Sequence, residues 1–449
     1  MKNKSVIKGA SILGITTFFV KLFGALYRIP LTNIIGGVGI GLYQMIFPVY
    51  ALLLDFSGCA LPSALSKLIS SEQSENAKFK YLSVSLKTFF IIGAFCTLFL
   101  FIFALPISKL QGNEKAFLGY LCLAPAVLTV SIISCFRGYF QGQLKMTPTA
   151  LSQIIEQVIK LIFGLILAKV FLPNISMAIA GTTFAITLSE IVALIYLLIE
   201  YKKQNGLPLK SLLKIKLEKS DLKAIFKTIF PITLMGIILP FSQVIDSFLT
   251  INIIGKYRLD ATVLYGLFSG VCLTIINLPV AICHGISVVA IPTVSKIKDI
   301  DLQNKNVKKV IFLTLILAIP FAIGCFFLSP LIVKFLFRAL DNEQTKTAIL
   351  LIKLTSPTII TLSLLQTLNS VLIGKGKLYS PVVNLFISVV VKVIFNFFLL
   401  QNPSINIYAG GIALNACYFL ACLLNLNLVI TRKRVKNGNA RTLYRENFS

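Results

Sequence analysis

Apolar residues follow one another in long runs along this chain, and short, mostly basic polar stretches separate the runs. A run of about 20 apolar residues is long enough to cross the hydrocarbon core of a bilayer as a helix. The expected fold class is therefore an all-α polytopic membrane protein with about twelve spans. The predicted spans are residues 9–30, 38–60, 82–106, 116–136, 148–170, 176–200, 224–252, 262–290, 308–330, 346–370, 380–401 and 407–430.

The composition supports this prediction, because 56% of the 449 residues are hydrophobic and only 13% are charged. A soluble domain of this length needs more polar surface than that. The nine cysteines form no CxxC pair, and the chain contains one histidine, His284. This pattern has no metal-site spacing, so we expect no disulfides, no metal and no cofactor.

The positions of the charges predict both orientation and partners. The net charge of +27 could indicate nucleic-acid binding, but roughly 28 of the 43 lysines and arginines lie on the N-terminal side of the spans and roughly eight on the other side. This is the positive-inside distribution, which predicts cytoplasmic termini and no nucleic-acid partner. Lys21 interrupts the first apolar run, so a retained span is expected instead of a cleaved signal. The basic tail, residues 432–449, is expected beside anionic lipid.

Two pairs of segments repeat along the chain. FPVYALLLDFSGCALPSALSK (47–67) matches LPVAICHGISVVAIPTVSK (278–296), and GQLKMTPTALSQIIEQVIKLIF (142–163) matches GKGKLYSPVVNLFISVVVKVIF (374–395), at offsets between 229 and 233 residues. A nearly constant offset indicates a tandem duplication, and parallel repeats place a substrate path between the two halves. The predicted organisation is an N-terminal six-helix lobe (1–200), a cytoplasmic linker (201–223), a C-terminal six-helix lobe (224–431) and the basic tail (432–449).

Smaller features refine this organisation. NIIG at 33–36 recurs at 252–255 with a shorter offset, a weak match by itself. Prolines such as Pro48 and Pro62 interrupt the repeated spans and predict bent helices that line a cavity. The linker is expected to contain an amphipathic helix in the membrane interface, with a solvated linker as the alternative.

Charged residues inside the spans are the candidate site residues, because a charge at the bilayer centre costs about 2.5–3.5 kcal/mol on insertion scales. Lys21 and Arg28 are two helical turns apart and lie on one face of span 1. An anionic group between the lobes, or Asp55 on span 2, would compensate them; alternatively, Arg28 reaches the outer interface. For Asp246 and Glu190, a position close to an interface is one alternative explanation.

Two lysines occupy equivalent positions of the repeat. Glu156 and Lys160 are four residues apart with the acid first, the favourable order for an ion pair within a helix. They either neutralise each other or take part in a cavity. Lys392 matches Lys160, but Ser388 stands where Glu156 stands in the first half. Lys392 is therefore expected to face a cavity, an acid on another helix, or a ligand.

Three stretches of the N-terminal half resemble a known family. KLFGALYRIPLTNIIGGVGIGLYQMIFPVY (21–50), GCALPSALSKLIS (58–70) and CFRGYFQGQLKMTPTALSQIIEQVIK (135–160) are similar to the stage V sporulation protein B-like polysaccharide transporters. Their superfamily also contains lipid II flippases and multidrug and toxin extrusion (MATE) antiporters. The resemblance implies two lobes in a V-shaped, alternating-access bundle in the bacterial plasma membrane. It also implies a substrate in which undecaprenyl diphosphate carries sugars.

The resemblance extends to single positions. Lys21 and Arg28 fall at or beside basic residues of the lipid II flippases, and Gln44 lies in the matching GLYQ. The arginines that those flippases carry in spans 2 and 8 are missing, since Asp55 stands late in span 2 and residues 265–282 are uncharged. Many relatives have two further spans, which residues 432–449 are too short to form. The candidate substrate-binding residues are Lys21, Arg28, Gln44, Asp55, Glu156, Lys160 and Lys392.

No arrangement of residues in the sequence predicts an enzyme. GGVGIG (36–41) follows no strand, and no nucleophile–base or paired-carboxylate pattern occurs. A lipid-linked oligosaccharide flippase, a cation-coupled drug exporter and a non-transporting scaffold for envelope assembly are the three hypotheses. A diphosphate needs cations, and the basic candidates outnumber the acidic ones, which favours the flippase. We expect a monomer, with lipid-linked oligosaccharide, membrane lipids and enzymes of cell-wall synthesis as partners.

Overall fold

The structure, a computed structural model, describes residues 2–204, 207–215, 218–295, 300–377 and 379–430. Within these ranges the side chains of 2–15, 17, 18, 21, 209, 213, 286, 288–295, 300 and 301 are not described. The predicted basic tail and the side chain of Lys21 therefore lie outside the described residues.

The described chain consists of helices and their connections. The α-helices are α1 (Lys2–Ser57), α2 (Leu61–Ser71), α3 (Glu75–Leu110), α4 (Phe117–Gly142), α5 (Met146–Val170), α6 (Ile175–Lys203), α7 (Leu209–Lys214), α8 (Lys219–Ile254), α9 (Ala261–Tyr265), α10 (Leu273–Ser295), α11 (Ile300–Leu336), α12 (Asn342–Thr355), α13 (Pro357–Gly374), α14 (Ser380–Leu400) and α15 (Tyr408–Ile430). A short 3-10 helix, Glu114–Ala116, precedes α4, and a π-helix, Gly266–Cys272, joins α9 to α10.

Eleven stretches of the described chain are long and apolar enough to cross a membrane. The first, Leu22–Ser71, has 50 residues, and one crossing needs only about 20. Within it α1 changes direction at Gly36, where φ is 66° and ψ is −172°, a conformation that glycine adopts without a steric penalty. The first stretch therefore crosses twice, and the described helices make the twelve crossings that the hydrophobic pattern predicts.

The two halves of the chain repeat the same packing. In the N-terminal half α3 packs on α4, while α4 and α5 both pack on α6; in the C-terminal half the corresponding pairs are α11 on α13, and α13 and α14 on α15. The contact of α1 with α5 likewise matches that of α8 with α14. This packing confirms two six-helix lobes. We call the membrane face where α1 begins and α6 ends the near face, and the opposite one the far face.

The linker between the lobes is attached to α3. Ser83 Oγ donates a hydrogen bond to the Leu212 carbonyl (2.5 Å), and Lys87 Nζ donates to the Ile215 carbonyl (2.6 Å) just after α7. The helix in this segment, α7, has six residues. Lys219 is already the first residue of α8.

Candidate functional site: a cationic cavity between the lobes

A cavity of about 400 Å³ lies between the two lobes, a volume typical of small-molecule sites. Among the described residues, its wall contains one arginine, Arg28, and one lysine, Lys160, and no carboxylate. The cavity is therefore suited to an anion. Its wall consists of Gly24, Ala25, Tyr27, Arg28, Tyr43 and Phe47 of α1, Lys160 of α5, Thr274, Asn277, Leu278, Val280, Ala281 and His284 of α10, and Gln366 of α13.

Arg28 is held in the cavity by an aromatic ring. Its guanidinium lies 5.5 Å from the centre of the Phe47 ring, a distance at which a cation is attracted to the face of the ring. Arg28 and Phe47 belong to the two segments of α1 that meet at the Gly36 bend, so the bend brings them together. The alternative prediction, that Arg28 reaches an interface, does not fit this position.

Lys160 reaches the cavity because its sequence neighbour Glu156 has another partner. Glu156 Oε2 accepts a hydrogen bond from Arg137 Nη2 at 3.1 Å, and its Oε1 accepts one from Gln157 at 3.0 Å. Arg137 also donates to Ser152 Oγ at 3.0 Å. Glu156 is thus neutralised from α4, and the ion pair within α5 that the spacing allows is not formed.

Lys392 does not line the cavity. Its ammonium forms an ion pair with Asp246 of α8 and donates to Ser242 Oγ at 2.8 Å, while Asn396 donates to the other oxygen of Asp246 at 3.2 Å. Of the three partners expected for Lys392, the structure shows an acid on another helix. Both side chains are at most 10% exposed, so the ion pair is buried inside the C-terminal lobe.

Asp55 also lies outside the cavity wall. Its Oδ1 is 3.0 Å from where a Cβ on Gly236 of α8 would stand, and none of the ion pairs among the described residues includes Asp55. The predicted compensation of Arg28 by Asp55 does not occur. Arg28 is eight residues from the bend at Gly36 and Asp55 is nineteen, which separates them by about 16 Å along the helix axes.

Gln44 belongs to the contact that closes the far face. Its side chain is 2% exposed and donates a hydrogen bond to the Ser269 carbonyl in the π-helix at 2.7 Å. Nearby, a Cβ on Gly41 would lie 2.1 Å from the Thr262 carbonyl oxygen. The GGVGIG stretch is therefore a close contact between lobes, as small residues are in other membrane helices.

Two asparagines clasp the far face from opposite lobes. Asn33, after the first crossing, donates to the Leu336 carbonyl at the end of α11 (2.7 Å), and Asn252, near the end of α8, donates to the Leu110 carbonyl at the end of α3 (2.8 Å). Asn33 and Asn252 are the asparagines of the repeated NIIG, and α3 and α11 are equivalent helices. The weak sequence match thus marks a reciprocal pair of hydrogen bonds.

Several residues of the site were not singled out from the sequence. Tyr43, Asn277 and Gln366 line the cavity, but neutral residues in apolar runs give no signal of their own. Arg137 lay within a quoted stretch, and only the fold shows that it neutralises Glu156. Glu190 is 6% exposed, and its Oε2 accepts no hydrogen bond among the described residues. It lies close enough to Glu156 and Lys160 to interact electrostatically.

The twelve crossings, the repeated packing and the cavity between the halves define a polytopic membrane protein of the two-lobe type. The chain belongs to the polysaccharide biosynthesis protein family, which matches residues 6–298. It is 25% identical to stage V sporulation protein B of Bacillus subtilis (strain 168) over 438 residues, covering 95% of this chain and 83% of that protein. It is 26% identical to the lipid II flippase MurJ of the same organism over 463 residues, covering 96% and 83%.

Solved structures show the same fold. The inward closed conformation of the lipid II flippase MurJ matches with a TM-score of 0.75 at 17% identity, over 93% of this chain and 87% of that one. The inward-facing conformation of a multidrug resistance MATE family transporter matches with a TM-score of 0.74 at 13% identity, over 91% and 94%. The expected MATE-like bundle is confirmed.

Proposed function

We propose that this chain flips an undecaprenyl-diphosphate-linked cell-envelope precursor, lipid II or a related oligosaccharide lipid, across the bacterial plasma membrane by alternating access. The observation that carries the proposal is the charge of the cavity wall, where Arg28 and Lys160 stand without a carboxylate among the described residues. The relatives named as a lipid II flippase and a sporulation protein support it.

The electrostatics favour a diphosphate over a drug cation. Opposite unit charges about 4 Å apart attract by about 4 kcal/mol at an effective dielectric constant of about 20. The guanidinium of Arg28 can bind two phosphate oxygens at once, whereas Lys160 acts as a point charge. An organic cation in the same cavity would be repelled by these two positive charges. The MATE transporter shares its fold with this chain at 13% identity. A shared fold does not determine the substrate of this chain.

The closed far face fits one half of a transport cycle. Gln44, Asn33 and Asn252 join the lobes at the far face, so the cavity must load from the near face. We infer that the near face is cytoplasmic, as the distribution of basic residues predicts. Single cysteines at Asn205 and Asn402 test this orientation, and labelling of position 402 from the cytoplasm contradicts it.

Transport by purified protein in proteoliposomes tests the function. We expect translocation of fluorescent lipid II and none of a cationic dye, and we expect Arg28→Ala with Lys160→Ala to abolish it. The matched control is Arg338→Ala, because Arg338 also lies 5.5 Å from a phenylalanine ring but outside the cavity. Transport of the dye alone, or full activity of the double variant, refutes the proposal.

The finer assignments follow from the same function. We propose that Lys21 extends the cationic wall, since it lies on α1 two helical turns before Arg28. A monomer suffices, because both walls of the cavity come from one chain. Enzymes that make or use the lipid-linked precursor are the proposed protein partners.

A further inference from the structure

We propose that Glu190 is the residue that lets the substrate go: its carboxylate pairs with the Lys160 ammonium when the cavity holds no anion, and it competes with the diphosphate for that lysine. Lys160 then alternates between the ligand and the interior of its own lobe. This inference rests on the proposed function and adds a positioning residue to it.

Four ionisable side chains of α4, α5 and α6 come together inside the N-terminal lobe, two basic and two acidic. Arg137 and Glu156 form an ion pair at 3.1 Å. Lys160 and Glu190 remain, and among the described residues neither forms an ion pair. Glu190 is 6% exposed, and its Oε2 accepts no hydrogen bond in the described part of the chain. A buried carboxylate in this position is unfavourable unless a cation compensates it.

The packing of α5 against α6 places Lys160 and Glu190 within reach of each other. The two helices meet at the far face, where Lys160 lies ten residues before the end of α5 and Glu190 fifteen residues after the start of α6. Their depths therefore differ by about 7.5 Å. Side chains lean toward the N-terminus of their helix, so Lys160 and Glu190 lean toward each other's level. The flexible four-carbon stem of the lysine can cover the remaining distance.

A buried tyrosine near Glu190 also lacks a partner. Tyr50 is 3% exposed, and its hydroxyl forms no hydrogen bond among the residues that the structure describes. It lies fourteen residues after the bend at Gly36, which gives it about the depth of Glu190, and the two side chains are close enough to interact electrostatically. Buried polar groups normally have partners. A donor and an acceptor left unpaired in one region indicate a second arrangement of this part of the lobe.

The C-terminal lobe shows such a pair already formed. Lys392, at the position equivalent to Lys160, is paired with Asp246 inside its lobe. Lys160 lines the cavity instead, so its pairing with an acid can be exchanged for a ligand. Because Lys160 moves from one anion to another, release of the diphosphate does not leave an unpaired ammonium in the membrane.

Binding and transport by the purified full-length protein test the inference. The binding probe is farnesyl diphosphate carrying N-acetylglucosamine, and the transported lipid is fluorescent lipid II in proteoliposomes. Glu190→Gln has the same shape without the charge, and we expect its Kd for the probe to fall about 10–100-fold, because a competing charged contact is lost. Its maximal flipping rate should also fall, since release becomes slow.

The matched control is Glu200→Gln, which should change neither quantity. Glu200 lies on the same helix, near its end, and accepts a hydrogen bond from Gln204 at 2.7 Å. Damage to the packing of the lobe would weaken binding of the probe, so the direction of the change in Kd separates the proposed role from a structural one.

A double-variant cycle shows whether the effect passes through Lys160. Lys160→Met should bind the probe more weakly, and adding Glu190→Gln to it should leave the Kd unchanged. Glu190→Asp keeps the charge on a shorter side chain, so its Kd should lie between those of the unaltered protein and Glu190→Gln. This variant tests the inference by itself if Glu190→Gln does not fold.

The outcomes separate this inference from the proposed function. A Kd that is unchanged or higher in Glu190→Gln, or in Glu190→Asp where that variant stands alone, overturns the role of Glu190 and leaves the flippase intact. Equal tightening with and without Lys160 does the same. Absence of probe binding to the unaltered protein, together with no effect of Arg28→Ala and Lys160→Ala on lipid flipping, overturns the flippase itself.

Discussion

Lys160 and Lys392 occupy the same position in the two lobes, on α5 and α14, and have different surroundings. Lys160 lines the cavity, because Arg137 neutralises its neighbour Glu156. Lys392 is buried against Asp246 and Ser242 of α8. The N-terminal lobe thus presents its lysine to a ligand, while the C-terminal lobe uses the equivalent lysine inside its own packing.

The difference shows that the acid, not the lysine, determines the role. Each lobe has a lysine on the helix that packs against its first span, but only in the C-terminal lobe does that span supply a carboxylate to pair with it. In the N-terminal lobe the acid lies on the lysine's own helix and is neutralised by Arg137. The duplication therefore left one cationic wall and one neutral wall.

The largest effect is expected in the C-terminal lobe. Lys392→Met leaves Asp246 buried without a partner charge, and breaking such a pair costs about 3–5 kcal/mol. The change should lower the unfolding temperature and the yield of folded protein in detergent, both measured by fluorescence-detected size-exclusion chromatography. Asp246→Leu combined with Lys392→Met should restore most of the loss, since no buried charge remains. A single variant as stable as the unaltered protein contradicts a structural role for the pair.

The equivalent change in the N-terminal lobe should affect transport instead. Lys160→Met removes a charged contact to the diphosphate, worth about 1.5–3 kcal/mol, and should slow lipid flipping about 10–100-fold. Stability should fall less than in Lys392→Met, because Arg137 still neutralises Glu156 and remains near Glu190. Lys353→Met is the control, since Lys353 lies over the Phe326 ring at 5.8 Å outside the cavity. Unchanged flipping in Lys160→Met, or equal loss in the control, removes Lys160 from the site.

The fold was largely predictable because hydrophobic length is a local property of the chain. Each predicted span overlaps a described helix, and Arg28 and Lys160 were found because a charge within an apolar run is conspicuous. Lys392 could not be assigned, since its partner Asp246 is 146 residues away. Which of two helices supplies the acid depends on how each helix is rotated about its axis, and hydrophobic periodicity does not specify that rotation.

Neutral contacts are the second part that sequence reasoning missed. Gln44 was included as a substrate residue because it lies in a familiar stretch, and the structure places it in the far-face contact. His284 was noticed for its rarity, but its place on the cavity wall depends on the packing of α10 against α13. A hydrogen bond between lobes does not alter the hydrophobic pattern of either span.

Both lobes should respond where their asparagines join the far face, Asn33 more strongly than Asn252. Asn33→Ala removes two hydrogen bonds between the lobes, to the Leu336 carbonyl and from the Ala339 N–H, whereas Asn252→Ala removes one, to the Leu110 carbonyl. Each bond is worth about 0.5–1.5 kcal/mol, so its loss should increase opening about twofold to tenfold. The measurement is the labelling rate of Asn277→Cys in the cavity by an impermeant thiol reagent added at the far face, after replacement of the nine native cysteines.

Asn306→Ala is the matched control for this pair, because the Asn306 amide donates only within α11, to the Leu302 carbonyl at 3.1 Å. It should leave the labelling rate unchanged. An effect of only one of Asn33→Ala and Asn252→Ala would show that the far face opens asymmetrically, and the reciprocal pair of contacts would then not describe the gate.

The smallest effect is expected on the attachment of the linker, where α8 begins beside α3. Lys80 forms ion pairs with Glu218 (2.8 Å) and Asp221 (3.1 Å), and the hydrogen bond from Lys80 lowers the pKa of Glu218 from its ordinary value of 4.5. Because the pKa of Glu218 is lowered, its ion pair with Lys80 stabilises the attachment of the linker at pH values above the ordinary pKa. This contribution is lost as the pH falls. The linker should therefore loosen between about pH 5 and about pH 3, with only a small change because the bonds from Ser83 and Lys87 remain.

Spin labels at Asn76 on α3 and Ser211 on α7 report this loosening as a broader distance distribution. We expect a narrow distribution at about pH 7 and a wider one at about pH 3 in the unaltered protein. Lys80→Met should give the wider distribution at both values, because the group that lowers the pKa of Glu218 is gone. A distribution that stays narrow in Lys80→Met would mean that Ser83 and Lys87 alone attach the linker, and that the start of the C-terminal lobe is fixed to α3 without help from charge.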